Sequence, residues 1–163
     1  MAGGPFREMA WSQRYAQMGD VAEERCAAWL DSQNRGWIPY GLNRPPLKLS
    51  MLSEFIRHTP DFLTSQALVE AKGFGRDKLA KIKYANLDAL IEWQKHHPVE
   101  VFFYDSHEDR SIVVELSALV RAVETSPHVG KGVFDDATPK HYWAFPSDLL
   151  IEIGEVHHVE PSP

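Results

Sequence analysis

The sequence predicts a single α/β (α+β) domain with a mixed central sheet flanked by helices, and three observations support this class. The 163 residues include 44% hydrophobic and 25% charged residues, as expected for a globular domain with a sizeable core. Segments with apolar residues at helical spacing alternate with short aromatic or β-branched runs. Loops rich in Gly and Pro separate them. The predicted order is helix, three strands, helix, two strands, helix and strand.

The first half of the chain contains a helix and then three strands. The helix is predicted over residues 20–34, with Asp20 as N-cap, Glu23 completing a capping box and Gly36 just after its end. Strands are predicted at three following segments, namely 37–42, 59–64 and 67–72. The last two are expected to form a hairpin around a tight turn at Ser65–Gln66.

The second half begins with a long helix over residues 77–96. Its apolar stripe has spacings of 4, 3 and 4 and consists of Ala80, Tyr84, Leu87 and Ile91. Further elements are predicted in the order strand 99–104, strand 111–114, helix 117–124, loop 126–139, strand 141–145 and a final turn from residue 147. The single domain then spans residues 1–163, with a core at about 19–104, an extension at about 105–154 and flexible ends.

Composition excludes several classes of protein. The single cysteine, Cys26, excludes an internal disulfide framework and a zinc site built from cysteines. It lies on the core-facing side of the first helix, which predicts a buried thiol. No stretch approaches the length of a membrane span, and residues 1–11 lack the order of a signal peptide. We therefore expect a cytoplasmic protein with no membrane partner.

Charge is distributed unevenly along the chain. The net charge is −6, yet residues 1–99 hold 13 Lys/Arg against 11 Asp/Glu, whereas residues 100–163 hold 4 against 12. Residues 72–83 carry five basic side chains and one acid. Such a cluster can bind phosphates although the net charge of the protein is negative, because salt limits the reach of a charge to about 10 Å. The alternative is an ordinary solvated face.

Two carboxylates and an ammonium group are predicted to converge at the hairpin. Asp61 begins one strand, and Glu70 and Lys72 share one face of the next strand, about 5 Å away. Glu23 falls on the core-facing stripe of the first helix, where a carboxylate is costly without compensation. Carboxylate oxygens bind Mg²⁺ or Mn²⁺, and such an ion activates water and polarises a phosphoryl oxygen.

Each of these features alone also has an ordinary structural explanation. A Glu-x-Lys triplet is common on edge strands, Pro-Asp is common in turns, and Glu23 fits a capping box. Their joint order is more informative: a helical acid, Pro60-Asp61, Glu70-Ala71-Lys72, and then a basic stretch.

That order resembles the PD-(D/E)XK nuclease superfamily over roughly residues 19–104. The resemblance implies a restriction-endonuclease-like αβββαβ core and a Mg²⁺-dependent deoxyribonuclease, with Mn²⁺ as a substitute. It implies that Asp61, Glu70, Glu23 and the Ala71 carbonyl hold the metal. It further implies that Lys72 is the catalytic lysine, acting with Asp61, Glu70 and Glu23.

The small size and the Gly-x-x-x-Glu opening at Gly19–Glu23 are similar to Holliday junction resolvases and to phage nucleases. This predicts a structure-specific endonuclease for branched DNA, a homodimer that serves recombination, repair or phage DNA processing. Ala80 stands where the exonuclease branch has the Gln of its Gln-x-x-x-Tyr pair. The alternatives are an exonuclease of the same superfamily and a non-catalytic member that binds nucleic acid or a partner.

Five basic residues are predicted to contact DNA phosphates. They precede the Asp61 strand or follow Lys72, and they are Lys48, Arg57, Arg76, Lys78 and Lys81.

Overall fold

The computed structural model describes residues 11–41, 51–135 and 137–158, with the backbone only for residues 11–20. Its helices are α1 (Trp11–Ser32), α2 (Glu54–Arg57), α3 (Tyr84–Gln94), α4 (Leu116–Thr125) and α5 (Ser147–Ile153). Its strands are β1 (Trp37–Pro39), β2 (Phe62–Thr64), β3 (Leu68–Gly73), β4 (Leu79–Lys83), β5 (Val99–Asp105), β6 (Arg110–Glu115), β7 (Gly130–Phe134), β8 (Lys140–Pro146) and β9 (Glu155–His157).

The strands form two sheets. The first has six strands in the order β1-β2-β3-β5-β6-β9, and the second has three in the order β4-β8-β7. Strands β3 and β5 are parallel, and every other neighbouring pair is antiparallel. The predicted class, a mixed α/β protein with a mixed central sheet and helices, is confirmed.

The six-stranded sheet is covered on both faces. Helix α1 packs on one face through four buried residues, Ala22, Cys26, Trp29 and Leu30, against side chains of β2, β3 and β5. The other face packs against α3, α4, α5 and the inner face of the second sheet. Odd and even positions of β3 therefore point into two different cores, with Leu68 in one and Val69 in the other.

The predicted hairpin is confirmed at β2 and β3. The Thr64 N–H donates to the Ala67 carbonyl at 2.9 Å, and the buried Thr64 hydroxyl donates to the same carbonyl at 2.8 Å. That hydroxyl also accepts from the Ala67 N–H at 3.0 Å, so one side chain closes the turn at Ser65–Gln66.

Helix α1 differs from its prediction at both ends. It begins at Trp11, so Asp20 lies inside the helix and is not at the N-cap position that the predicted capping box requires. Its stop is Asn34, whose φ of 53° places it in the left-handed region, rather than Gly36. The Arg35 N–H then donates to the Leu30 carbonyl at 2.9 Å, as in a helix end closed by a left-handed residue.

The predicted helix over residues 77–96 is wrong in its first third. Residues 79–83 form strand β4, and α3 begins only at Tyr84. Strand β4 pairs with β8, with Lys81 opposite Ala144. This pairing overrides the helical spacing, because alternate residues Ala80 and Ile82 are fully buried.

Two further predictions are wrong near the C-terminus. The predicted loop over 126–139 contains strand β7, and residues of the predicted flexible tail form strand β9, which pairs with β6. Strand β7 contains Gly130 and Gly132, which predicted a loop. The Tyr142 ring covers Gly132, since an added Cβ there would lie 2.3 Å from the ring.

Within the described ranges, no helix combines the length and the apolar character that crossing a membrane requires.

The buried thiol predicted for Cys26 is confirmed. Its side chain is fully buried in α1, and burial is the main cause that raises its pKa. We expect the folded protein to react with a thiol reagent only at the rate at which it opens, whereas the denatured protein reacts at once. Following the absorbance of the released chromophore checks this. Stoichiometric labelling of the native protein within seconds would contradict the burial.

Candidate active site

The β2–β3 hairpin places Asp61 beside Glu70. Phe62 pairs with Val69, and the next position along the same register sets Asp61 opposite Glu70. The Asp61 Oδ2 accepts a hydrogen bond from the Ala71 N–H at 2.8 Å. The Asp61 carbonyl accepts from the Tyr40 N–H at 2.8 Å. Asp61 is therefore held on two sides, by β3 and by the end of β1.

Glu70 and Lys72 lie on the same face of β3, as the alternation predicted. Lys72 Nζ lies 2.6 Å from Glu70 Oε1, and the Glu70 side chain is only 6% exposed. Its second oxygen, Oε2, is buried and has no hydrogen-bond partner. A buried carboxylate oxygen without a partner is rare and costly, so this atom marks a place where a donor or a cation would be stabilising.

The two carboxylates act on one another electrostatically. Burial is the main cause that raises the pKa of Asp61 well above its usual range, and the neighbouring charge of Glu70 raises it further. The charge of Lys72 and the Ala71 N–H oppose this rise. The pattern is typical of a pair of carboxylates that share one small site and that a positive charge would stabilise together.

Glu23 approaches the same place from α1. The buried stripe of that helix runs through Ala22, Cys26, Trp29 and Leu30, so Glu23 lies on its flank and is half-buried rather than core-facing. Its charge still contributes to the raised pKa of Asp61, after burial and Glu70. Helix α1 covers the face opposite to Glu70, so Glu23 faces the site from the other side of the sheet.

The Ala71 backbone faces the same edge of β3 as Asp61. Its N–H donates to Asp61, and in an antiparallel ladder the N–H and C=O of one residue point to the same side. Strand β2 begins at Phe62, opposite Val69, and does not extend as far as Ala71. The Ala71 carbonyl thus points toward the carboxylate pair.

The donor set fits a hard divalent cation. Carboxylate and carbonyl oxygens are the ligands that Mg²⁺ prefers, and Glu70 Oε2 is an orphaned buried acceptor among them. In the part of the chain that the structure describes, no three His, Cys, Asp or Glu side chains form a ready-made metal cluster. The acids lie near one another without a closed ligand shell.

The predicted DNA-binding residues take different positions. Arg76 and Lys78 are exposed in the turn between β3 and β4, and Lys78 has a φ of 61°. Lys81 lies on β4, not on a helix, and pairs with Asp77 at 2.5 Å. Arg57 pairs with Glu54 at 2.8 Å on α2. Lys48 lies outside the described residues.

A second polar cluster adjoins the site, and its contact between His58 and Asn86 was not predicted from the sequence. His58 Nδ1 lies 3.2 Å from the amide nitrogen of the buried Asn86, and His58 Nε2 lies 3.4 Å from Glu54. Burial is the main cause that lowers the pKa of His58, while Glu54 and Glu70 act to raise it. Asn86 then donates to Nδ1 of a neutral ring. The one feature of the sequence that could have indicated this contact is Asn86, a polar residue between two apolar residues of α3.

Comparisons with models of protein families, with curated proteins and with solved structures find no match for this chain.

Proposed function

We propose that the protein is a metal-dependent deoxyribonuclease of the PD-(D/E)XK type that cleaves branched DNA. The observation that carries this proposal is the buried Glu70, whose Oε2 has no partner and whose charge raises the pKa of Asp61 across the hairpin. Lys72 on the same face supplies the positive group that phosphodiester hydrolysis needs beside the metal.

The topology supports the same proposal. A helix, a three-stranded antiparallel unit, a second helix and a strand parallel to β3 follow in the order expected for a restriction-endonuclease-like αβββαβ core. Two elements differ from that order: the short helix α2 lies between β1 and β2, and β4, between β3 and α3, pairs in the second sheet.

Each residue of the site would have a distinct role in the proposed reaction. Asp61, Glu70 and the Ala71 carbonyl would hold Mg²⁺, or Mn²⁺ in its place, and Glu23 would join the ion or its water from the α1 side. The ion supplies an activated water and polarises the phosphoryl oxygen. Lys72, a compact point charge, orients the water and stabilises the negative charge that develops in the transition state. The Ala71 N–H fixes the Asp61 carboxylate through Oδ2.

Cutting two strands of a junction requires two such sites, so we infer a homodimer as the working form. An exonuclease of the same superfamily would need a free DNA end, and covalently closed circular DNA separates it from an endonuclease. A non-catalytic DNA-binding member would bind without cutting.

The test is a cleavage assay on a four-way junction, a flap, a plain duplex and a single strand, with Mg²⁺, Mn²⁺ or EDTA. We expect cutting of the junction that EDTA abolishes and that Lys72→Met reduces by about 10²–10³-fold. Lys95→Met is the matched control, because Lys95 is an exposed lysine paired with Glu92 on the far end of α3. Absence of cutting in folded, metal-loaded protein would overturn the proposal.

Lys78, in the turn after β3, and Lys81, on β4, are expected to contact phosphates. Lys78→Ala combined with Lys81→Ala should lower the slope of log affinity against log salt by up to about 1.8, because each lost phosphate contact removes about 0.9. Titrations of a labelled duplex at several salt concentrations measure this slope. Lys95→Ala combined with Arg121→Ala removes the same charge elsewhere. If both double variants showed the same slope of log affinity against log salt, Lys78 and Lys81 would be excluded from the DNA interface.

A further inference from the structure

The second sheet has one face in the core and one facing outward. Ala80, Ile82 and Phe145 are fully buried and point inward. Residues directly opposite one another in an antiparallel sheet share a face. The outward face therefore carries Lys81, Lys83, Tyr142, Phe134 and Lys140, through the pairs Lys83–Tyr142 and Phe134–Lys140.

Two aromatic rings lie on this outward face. The Tyr142 ring covers Gly132, where a Cβ would lie 2.3 Å from both Cζ and Oη, so only glycine accommodates the ring there. The Phe134 and Tyr142 centroids are 4.4 Å apart with a tilt of 48°. Both side chains remain partly exposed. The result is an aromatic surface that lies on the backbone of β7 rather than in a core.

A lysine ammonium group lies over each ring. Lys81 Nζ lies 5.1 Å from the centre of the Tyr142 ring, and Lys83 Nζ lies 5.5 Å from the centre of the Phe134 ring. Asp77 pairs with Lys81 and offsets part of this charge. Lys140, at the corner of the sheet, is exposed. The face combines planar rings with ammonium groups at the spacing of neighbouring strands.

We propose that this face, defined by Tyr142, Phe134, Lys81 and Lys83, is a stacking platform for unpaired nucleotides of a DNA strand. Exposed rings beside lysines are the means by which proteins bind single strands without sequence preference. Paired bases already stack on one another, so a duplex offers these rings little. This proposal deepens the proposed function, on which its choice of DNA as ligand rests.

Strand β4 of the platform follows β3 of the candidate active site in the chain. Phe74, just after β3, forms a bridge with Ala80 of β4, next to Lys81. Phe74 follows Lys72 by two residues, a distance of about 7 Å along an extended chain. A short stretch of chain thus joins Lys72 to β4, and we expect an unpaired segment held on the platform to leave the neighbouring strand near the candidate site.

The platform is tested by fluorescence anisotropy with a labelled oligo-dT strand in EDTA, where no cleavage occurs. We expect the single strand to bind more tightly than a duplex of equal length. Tyr142→Leu and Phe134→Leu should each weaken binding of the single strand by about tenfold, since stacking contributes most of the affinity per base. Tyr142→Phe keeps the ring and should bind like the wild type, which separates stacking from a folding defect.

The matched control is Trp37→Leu, a partly exposed aromatic residue of β1 in the other sheet, whose ring packs on Phe62. Unchanged affinity in both Tyr142→Leu and Phe134→Leu would overturn the platform. So would polyglutamate that displaces the strand at lower concentration than unlabelled oligo-dT, since it would assign the face to an acidic protein. Binding of oligo-dT without any metal-dependent cleavage would refute the hydrolase and leave the platform standing. Metal-dependent cleavage together with binding that does not depend on the two rings would support the hydrolase and refute the platform.

Discussion

Replacement of Glu70 by glutamine is expected to reduce metal-dependent cleavage by at least about 100-fold while leaving the fold intact. Glutamine has the same shape, and its side-chain oxygen can still accept from Lys72, which lies 2.6 Å from Glu70 Oε1. The variant lacks the negative charge that a divalent cation requires of this ligand. Cleavage rates and melting temperatures with and without Mg²⁺ measure both effects.

The same variant should lose the stabilisation that Mg²⁺ confers on the wild type. Binding to the folded state alone raises stability in proportion to the logarithm of ligand concentration. Glu100→Gln is the control, because Glu100 lies on neighbouring β5 and pairs with Arg35 at 2.9 Å, away from the carboxylate pair. If Glu70→Gln cut DNA and responded to Mg²⁺ as Glu100→Gln does, Glu70 would not be a metal ligand.

Replacement of Asp61 by asparagine is expected to abolish cleavage and yet to raise the melting temperature of the metal-free protein by several degrees at pH 8. The asparagine oxygen can still accept from the Ala71 N–H, which now donates to Asp61 Oδ2 at 2.8 Å. The substitution removes a charge that burial and Glu70 both disfavour. Loss of activity with gain of stability is the signature of a strained functional site.

The pH dependence of this gain follows from the raised pKa of Asp61. Between the usual carboxyl value of 3.8 and the raised pKa, the folded state holds a proton that the unfolded state has released. Wild-type stability therefore falls as pH rises through that window and stays low above it. The advantage of Asp61→Asn should be largest at pH 8 and vanish near pH 4. A variant less stable than the wild type at every pH would contradict the repulsion.

The β2–β3 hairpin could be predicted from sequence because its signals are local. Thr64 and the two residues after it make the turn, and alternation places Glu70 and Lys72 on one face. Strand β4 could not be predicted, because it runs directly into α3 and its Ala80 lies at helical spacing from Tyr84 of that helix. Its partner β8 lies far along the chain, and local sequence propensity does not predict a pairing between such distant segments.

In the candidate site, too, the residues within one local segment could be predicted from sequence, and those that depend on packing between segments could not. Asp61, Glu70 and Lys72 belong to one hairpin, and the structure brings them together as predicted. Glu23 depends on how α1 is rotated on the sheet, and the helix turned out to bury Ala22 in place of Glu23. The contact of His58 with Asn86 joins the end of α2 to α3. The sequence pattern of either helix alone does not predict that the two helices pack together.

The parallel pairing of β3 with β5 has a consequence for the order in which the protein folds. The hairpin that joins Asp61 to Glu70 closes a short loop, whereas the pairing of β5 with β3 closes a longer loop that contains β4 and α3. We therefore expect the hairpin to form first, while water still surrounds the two carboxylates and weakens their repulsion. The cost of burying them falls on the late step in which the central strands associate.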